Sequence, residues 1–183
     1  AMVADGSKVA FDFNNKIDAV RAVSSEEDNL VYFPKDFSAE DKAGKVVRVT
    51  DLAYAEGDAN AGADPMIYAN AYTNAINGET AGSTFQYALD AETDSLVSLA
   101  NNEGTLETIA EVTVDGVAVD LSDWGGFDIM SPSEGEDMAY AILQMEGAET
   151  AGFYTINLET GEAMMQADLG MGGFTALAIA QAR

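Results

Sequence analysis

Neither cysteine nor histidine occurs in the chain. Their absence excludes disulfide bonds, thiol nucleophiles, Ser-His-Asp triads and ordinary zinc sites, because each of these needs one of the two side chains. Positive charge is also scarce, since 8 Lys and Arg residues stand against 32 Asp and Glu residues, for a formal net charge of −24. This balance argues against nucleic-acid binding, which needs clustered basic residues, and against docking on anionic lipid.

Long apolar runs are missing as well, and none approaches the roughly 20 residues that a membrane span needs. We therefore expect no membrane insertion. The 183 residues are 48% hydrophobic, which is typical of one globular domain rather than of a disordered acidic tail. The acidic surface indicates adaptation to salt water, or a coat that also binds cations. Because the chain starts Ala1-Met2, we expect it to begin inside a longer protein.

Short apolar runs alternate with Gly, Asn, Asp and Ser along the whole chain, a pattern that predicts an all-β domain. Only residues 38–44 and the Ala-rich ends of the chain favour a helix, and only in part. The predicted strands are residues 9–13, 19–23, 29–33, 45–50, 66–72, 84–89, 95–99, 108–114, 126–129, 138–143, 152–158, 163–169 and 175–180.

Weak internal repeats group these strands into three units of about four antiparallel strands, at residues 8–55, 64–114 and 124–181 of a single domain, 1–183. Phe-Asp-Phe at 11–13 is echoed by Phe-Asp-Ile at 127–129. Tyr87 to Asp94 similarly resembles Tyr154 to Gly161, and both stretches predict a turn with a positive φ at the last residue. Four-stranded repeats are typical of β-propeller blades, but propellers usually have 4–8 blades. Three units predict a ring that a partner chain or further blades of a longer chain close, or one that stays incomplete. The alternative is that the three units fold as a sandwich or a barrel.

The acidic, glycine-containing segment 51–65 is the best candidate for a metal site. Asp58, Asn60 and Asp64 offer oxygen ligands at a spacing that suits calcium, although the full EF-hand pattern is absent. The alternative is a connection between units in which Asp and Asn cap turns. Calcium is the one cofactor that this pattern favours.

Aromatic residues offer a second kind of site, since Tyr and Trp near acidic groups bind sugars or cations in many proteins. Trp124, predicted to lie in a loop before a strand, and Tyr72 are the candidates for ligand binding. The alternative is that strand aromatics pack between the units. Asp12 and Asp128 recur inside strands, where a carboxylate more often accepts backbone hydrogen bonds than catalyses. With 32 acids and no marked pair, the sequence singles out no catalytic residue.

Several segments together form a recognisable set of motifs. The most specific of them is Gly-Asp-Ala-Asn-Ala-Gly at 57–62, and the others include Phe11-Asp12-Phe13-Asn14, Leu52-Ala53-Tyr54, Ala71-Tyr72-Thr73-Asn74, Asn102-Glu103-Gly104-Thr105-Leu106, Gly126-Phe127-Asp128-Ile129 and Tyr154-Thr155-Ile156-Asn157-Leu158. Over about residues 8–180 the chain resembles the bacterial domain-of-unknown-function family 4394. This resemblance implies β-propeller-like repeats in a secreted or surface protein of a bacterium, here lacking the N-terminal blades. It implies no activity, so no residue inherits a catalytic role.

The leading hypothesis is a non-enzymatic binding or interaction domain in the periplasm, at the cell surface or outside the cell. Its partner would be a protein, a glycan or a cation. The first alternative is a carboxylate-dependent hydrolase that acts on carbohydrate. The second is an assembly protein whose open blade edges join copies of the chain into homo-oligomers.

Overall fold

A computed structural model describes residues 2–180, which form three β-sheets. These residues contain no α-helix, and their one helical element is a 3-10 turn at Asn101–Glu103. No helix among these residues is long and apolar enough to cross a bilayer.

The helix predicted at 38–44 is wrong, because that stretch forms turns, which are closed by backbone hydrogen bonds such as the one from Lys42 N to Ala39 O. A seven-residue segment is too short for a helix that little packing supports.

Sheet 1 is antiparallel, with its four strands in chain order. The strands are β1 (Val9–Asn14), β2 (Ala19–Ser24), β3 (Asn29–Tyr32) and β4 (Val46–Arg48).

Sheet 2 has five strands, of which the first comes from the connection that leaves sheet 1. The strands are β5 (Ala53–Tyr54), β6 (Ile67–Tyr72), β7 (Gln86–Asp90), β8 (Ser95–Leu99) and β9 (Thr105–Glu111). The order is β5-β9-β8-β7-β6, and β5 runs parallel to β9.

Sheet 3 repeats this plan with six strands in the order β11-β10-β15-β14-β13-β12. They are β10 (Thr113–Val114), β11 (Val117–Ala118), β12 (Leu121–Ser133), β13 (Glu136–Met145), β14 (Gly152–Ile156) and β15 (Glu162–Asp168). Here β10 comes from the preceding connection and runs parallel to β15, as β5 does to β9.

Sheet 2 lies between the other two sheets, and every residue of β6 is buried. Its contact with sheet 1 is a cluster that includes Ala10, Val23, Ile67, Ala88 and Val97. Its contact with sheet 3 is a larger cluster that includes Ala71, Leu89, Leu96, Phe127, Ile129 and Tyr154. Each large apolar side chain buried here contributes about 1.5–3 kcal/mol. The core is therefore built on the two faces of sheet 2.

The strands predicted from periodicity are largely confirmed, and the differences concern three segments. Predicted strand 108–114 is divided between β9 and β10. Predicted strand 126–129 is the middle of the longer β12, so Trp124 lies in a strand and not in a loop. Residues 175–180 form no regular strand. The third predicted unit, 124–181, ends one residue beyond the described part of the chain.

The two turns that the sequence pairs share their chemistry but occupy different places in their sheets. Asp94 and Gly161 both have positive φ, 53° and 70°, as predicted. The first turn joins β7 to β8, whereas the second joins β14 to β15. Similar turn residues therefore do not mark equivalent positions in the repeat.

A glycine before the last long strand is required in sheets 2 and 3 by a close backbone approach. Gly104 has a φ of 68°, and a Cβ there would lie 2.4 Å from the carbonyl oxygen of Asp51. Gly161 has a φ of 70°, and its Cβ would lie 2.6 Å from the carbonyl oxygen of Glu111. In both sheets the connection from the preceding sheet passes the glycine at this point. The absence of a Cβ lets that connection come close enough to form the parallel strand.

We predict that Gly104→Ala lowers the free energy of unfolding by about 3 kcal/mol, because it combines an unfavourable φ with a backbone clash. Gly78→Ala is the control, since Gly78 has a φ of 82° with nothing within 4 Å of its Cβ position. It should cost about 1 kcal/mol. Urea unfolding measures both values, and equal costs would contradict the role assigned to the crossing.

Candidate functional site

The innermost strands of the three sheets, β1, β6 and β12, meet at the centre of the structure. Lys8, just before β1, reaches across to β12, where its Nζ lies 2.5 Å from Asp123 Oδ1 and donates to the Asp123 carbonyl oxygen at 3.0 Å. The same ammonium lies 3.5 Å from the centroid of the Trp124 ring. An ion pair and a cation–π contact thus tie sheet 1 to sheet 3.

A carboxylate on an inner strand accepts a backbone hydrogen bond from the next inner segment, and this happens twice. Asp12 Oδ2 accepts from Tyr72 N at 2.6 Å, which joins β1 to β6. Asp128 Oδ2 accepts from Ile179 N at 2.5 Å, which joins β12 to the extended segment 174–180. The prediction that these two residues bind backbone is confirmed.

Burial disfavours the charged form of both carboxyls. It raises the pKa of Asp12 from 3.8 to about 7, against the hydrogen bond from Tyr72, and the negative charge of Asp128 adds to the rise. Burial also raises the pKa of Asp128. Asp12 is therefore partly protonated near neutral pH, whereas an Asp in water is fully ionised.

A cavity of about 420 Å³ lies between β1, β6, β12 and residues 175–178. Asp12 and Asp128 line it, and so does Asn70, whose amide nitrogen and oxygen have no hydrogen-bond partner among the described residues. Most of the remaining lining is apolar. We call this space the central cavity. Its volume lies in the range of small-molecule sites.

Residues 169–180 repeat the connection that leads from one sheet into the next. Leu52 N donates to Glu27 O and Val112 N donates to Asp94 O, where the chain leaves sheets 1 and 2. Leu169 N makes the corresponding bond to Ala151 O after sheet 3. The segment that follows lies beside β12, since a Cβ at Gly126 would meet Leu177 N at 2.3 Å. It occupies the place of a further inner strand.

One face of sheet 1 is apolar and open to solvent. Because side chains alternate along β1, Ala10 packs on sheet 2 whereas Phe11 and Phe13 point away, each 62% exposed. The register Phe13–Val20–Tyr32–Val46 carries this face across all four strands. We call the exposed set, Val9, Phe11, Phe13, Tyr32 and Val46, the open face.

A protein-family model matches almost the whole chain. The model is described as Domain of unknown function (DUF4394), and it matches residues 1–180. The chain belongs to the DUF4394 family. No curated protein matches it. The resemblance drawn from the sequence motifs is thereby confirmed for the family.

In this DUF4394 chain Tyr72 lies inside the protein, 1% exposed, between sheets 1 and 2. Its hydroxyl donates to Asn101 Oδ1 at 2.8 Å and accepts from the buried guanidinium of Arg21 at 3.4 Å. Arg21 also donates to Asn29 and Asn102. Trp124 is 39% exposed beneath Lys8. Ligand binding by Trp124 and Tyr72 stays a prediction.

The acidic loop is held on sheet 2 by its own carboxylate. Asp58 accepts from Thr108 N at 2.8 Å and from Asn60 N at 2.9 Å, and Thr108 Oγ1 donates to it at 2.6 Å. Burial alone would raise the pKa of Asp58, but these hydrogen bonds outweigh it and lower the pKa. Within residues 2–180 no three His, Cys, Asp or Glu side chains are grouped to hold a metal ion. Calcium binding by Asp58, Asn60 and Asp64 stays a prediction.

Sequence reasoning missed three features of the site: the Lys8 bridge, the buried Arg21 network and the unpartnered Asn70. Alternation in 9–13 signals the open face, because both of its Phe residues fall on one side of the strand. No local pattern signals the other three, since each depends on which sheets become neighbours.

We predict that Asp58→Ala lowers the free energy of unfolding by about 2 kcal/mol, because Thr108 N and Asn60 N lose their acceptor. The loss should be equal in calcium and in EDTA if the loop is held by capping alone. If the loop holds calcium, calcium raises the melting temperature of the wild type and Asp64→Ala removes that rise. Thermal unfolding of the three proteins in both buffers distinguishes the two interpretations.

We also predict a pH-dependent effect of Asp12→Asn. The Asp12 pKa is about 7 in the folded state against 3.8 in the reference state, so the folded state binds an extra proton between these values. The Asp12 contribution to stability is therefore complete below pH 3.8 and is lost as the pH rises to about 7. The variant should gain stability relative to the wild type over this interval, as measured by urea unfolding. Asp115→Asn, in an exposed turn, is the control, and an equal gain there would contradict the assignment.

Proposed function

We propose that this DUF4394 chain is a non-enzymatic interaction domain whose interface is the open face of sheet 1. The observation that carries the proposal is the pair of Phe side chains, each 62% exposed on a regular sheet. This protein carries a net charge of −24, so most of its surface is strongly polar. A contiguous apolar patch on such a surface indicates a site of association with a partner. We also propose that the domain acts outside the cytoplasm, as the resemblance drawn from the sequence motifs implies.

The finer architecture that we propose is an arc of a β-propeller. Support comes from three up-and-down sheets whose first strands meet at the centre, and from two connections that each add a parallel strand to the next sheet. The segment 174–180 supports it further, because it lies where a fourth inner strand would lie. In such an arc the open face is the side against which another blade would pack.

Sheet 3 has a second partly open face at the other end of the arc. The register Tyr140–Thr155–Met164 lies on it, Met164 is 63% exposed, and the rings of Tyr140 and Phe153 stack at 5.7 Å. The segment 174–180 covers part of its inner edge. Both ends of the arc thus present apolar side chains.

The uneven distribution of charge along the chain favours a second copy as the partner. Residues 2–50 carry seven of the eight Lys and Arg residues and nine Asp and Glu residues, for a net charge of −2, whereas residues 112–180 carry no Lys or Arg and have twelve Asp and Glu residues. The nearly neutral end at sheet 1 of one copy would thus meet the strongly acidic end at sheet 3 of another. This pairing avoids the repulsion of two acidic ends, which fixes its orientation. A two-fold pair would satisfy both ends at once.

We predict that Phe11→Ser together with Phe13→Ser abolishes self-association, because two large apolar side chains leave the interface. Sedimentation velocity over a range of concentrations measures the effect, and the wild type should shift from monomer to dimer. The matched control is Val117→Ser, at a β11 residue that is 66% exposed and outside the open face. A wild type that stays monomeric throughout would contradict the proposed partner, and so would equal loss in the control.

A further inference from the structure

The central cavity adjoins the open face, since Phe11 and Phe13 belong to both. Its walls come from four separate segments, β1, β6, β12 and residues 175–178, so only the folded arrangement of sheets creates it. Phe11, Phe127 and Leu177 supply part of its apolar lining. A pocket of this kind holds a small ligand that is largely apolar and is oriented by a few polar groups.

Two of those polar groups are carboxyls without a cationic partner among the described residues. The ion pairs in residues 2–180 join Lys8 to Asp123 and Arg48 to Asp28 and Asp51, and none reaches Asp12 or Asp128. Within the part of the chain that the structure describes, no Lys or Arg lines the cavity. Each carboxyl is anchored by backbone N–H groups, which fixes its position but supplies no cation. A positively charged group between them would stabilise the ionised form of both carboxyls.

Asn70 is a second and independent observation. The residue is 3% exposed, lines the same cavity, and has neither its amide N–H groups nor its amide oxygen paired within the described part of the chain. Leaving such a group unpaired in a protein interior costs about 1–3 kcal/mol. Nearly all buried amides have a partner, and a ligand in the cavity would supply one to Asn70. The amide of Gln86 is also unpaired among the described residues, but Gln86 does not line the cavity.

We infer that the central cavity binds a small organic cation with an apolar body. Its ammonium group lies between Asp12 and Asp128, and the amide of Asn70 bonds the same group or a polar group beside it. A bare metal ion fits less well, because calcium takes 6–8 oxygen ligands and most of this lining is apolar. The inference requires no association of the chain, and the open-face residues Phe11 and Phe13 are not among the groups that hold the ammonium.

The test compares three probes of one size: n-butylammonium, 1-butanol and butyrate. Two-dimensional NMR follows the backbone N–H signals of Tyr72 and Ile179, because these groups donate to Asp12 and Asp128. At physiological ionic strength, butylammonium should shift both signals saturably and bind at least about tenfold more tightly than butanol, while butyrate should not bind. Equal affinity for butylammonium and butanol would overturn the inference. So would the absence of any shift.

Variants separate a defined site from attraction to a generally acidic protein. Asp128→Asn and Asn70→Ala should each weaken butylammonium binding, the former by about tenfold. Asp115→Asn removes the same charge from an exposed turn and should leave the affinity unchanged. Similar weakening by Asp115→Asn and Asp128→Asn would indicate diffuse attraction and overturn the inference. If either cavity variant loses the dispersed spectrum of a folded protein, the comparison of the three probes on the wild type still decides.

Discussion

The packing of sheet 2 between two other sheets is the constraint on which the rest of this structure depends. Every side chain of β6 is buried, and the two principal apolar clusters lie on opposite faces of its sheet. Sheets 1 and 3 each pack against sheet 2 through one face. The exposure of their outer faces follows from this packing, since sheets 1 and 3 each keep one face that sheet 2 does not cover. The open face is thus a consequence of the architecture and not of one unusual residue.

The same arrangement brings the three inner strands together and creates the central cavity. Where apolar packing ends, polar side chains fix the spacing: Asp12 of β1 accepts a hydrogen bond from β6, and Asp128 of β12 accepts one from segment 174–180. These carboxyls are costly to bury, as the raised pKa of Asp12 indicates. The two carboxyls and the unpaired amide of Asn70 lie around one cavity, and the proposed ligand site rests on this arrangement.

The sequence predicted more of the fold than of the candidate site. Alternation and turn residues located most strands, because these signals are local and each strand carries its own. The family was also recognisable from motifs such as Phe-Asp-Phe-Asn at 11–14. The sequence did not reveal that Trp124 continues a strand, because the glycines at 125 and 126 indicate a turn locally while pairing with Leu143 and Ile142 extends β12.

The site residues depend on contacts between distant parts of the chain. Lys8 contacts Asp123, which lies 115 positions away in the sequence, and Arg21 contacts Asn102, which lies 81 positions away. Neither pairing therefore has a local sequence signature. The aspartates in the inner strands are the exception, since their recurrence predicted backbone hydrogen bonding and the structure has it. Asn70 was invisible because its distinguishing property is the lack of a partner.

Hydrogen exchange, followed residue by residue at low and at high protein concentration, tests the central claim most directly. The account predicts that β6 and β7 are the most protected strands at both concentrations, and that β1 to β4 gain protection only when the chain is concentrated. If sheet 1 is as protected as sheet 2 in dilute solution, or if its protection does not change with concentration, the account of a stable central sheet flanked by an open interface is contradicted.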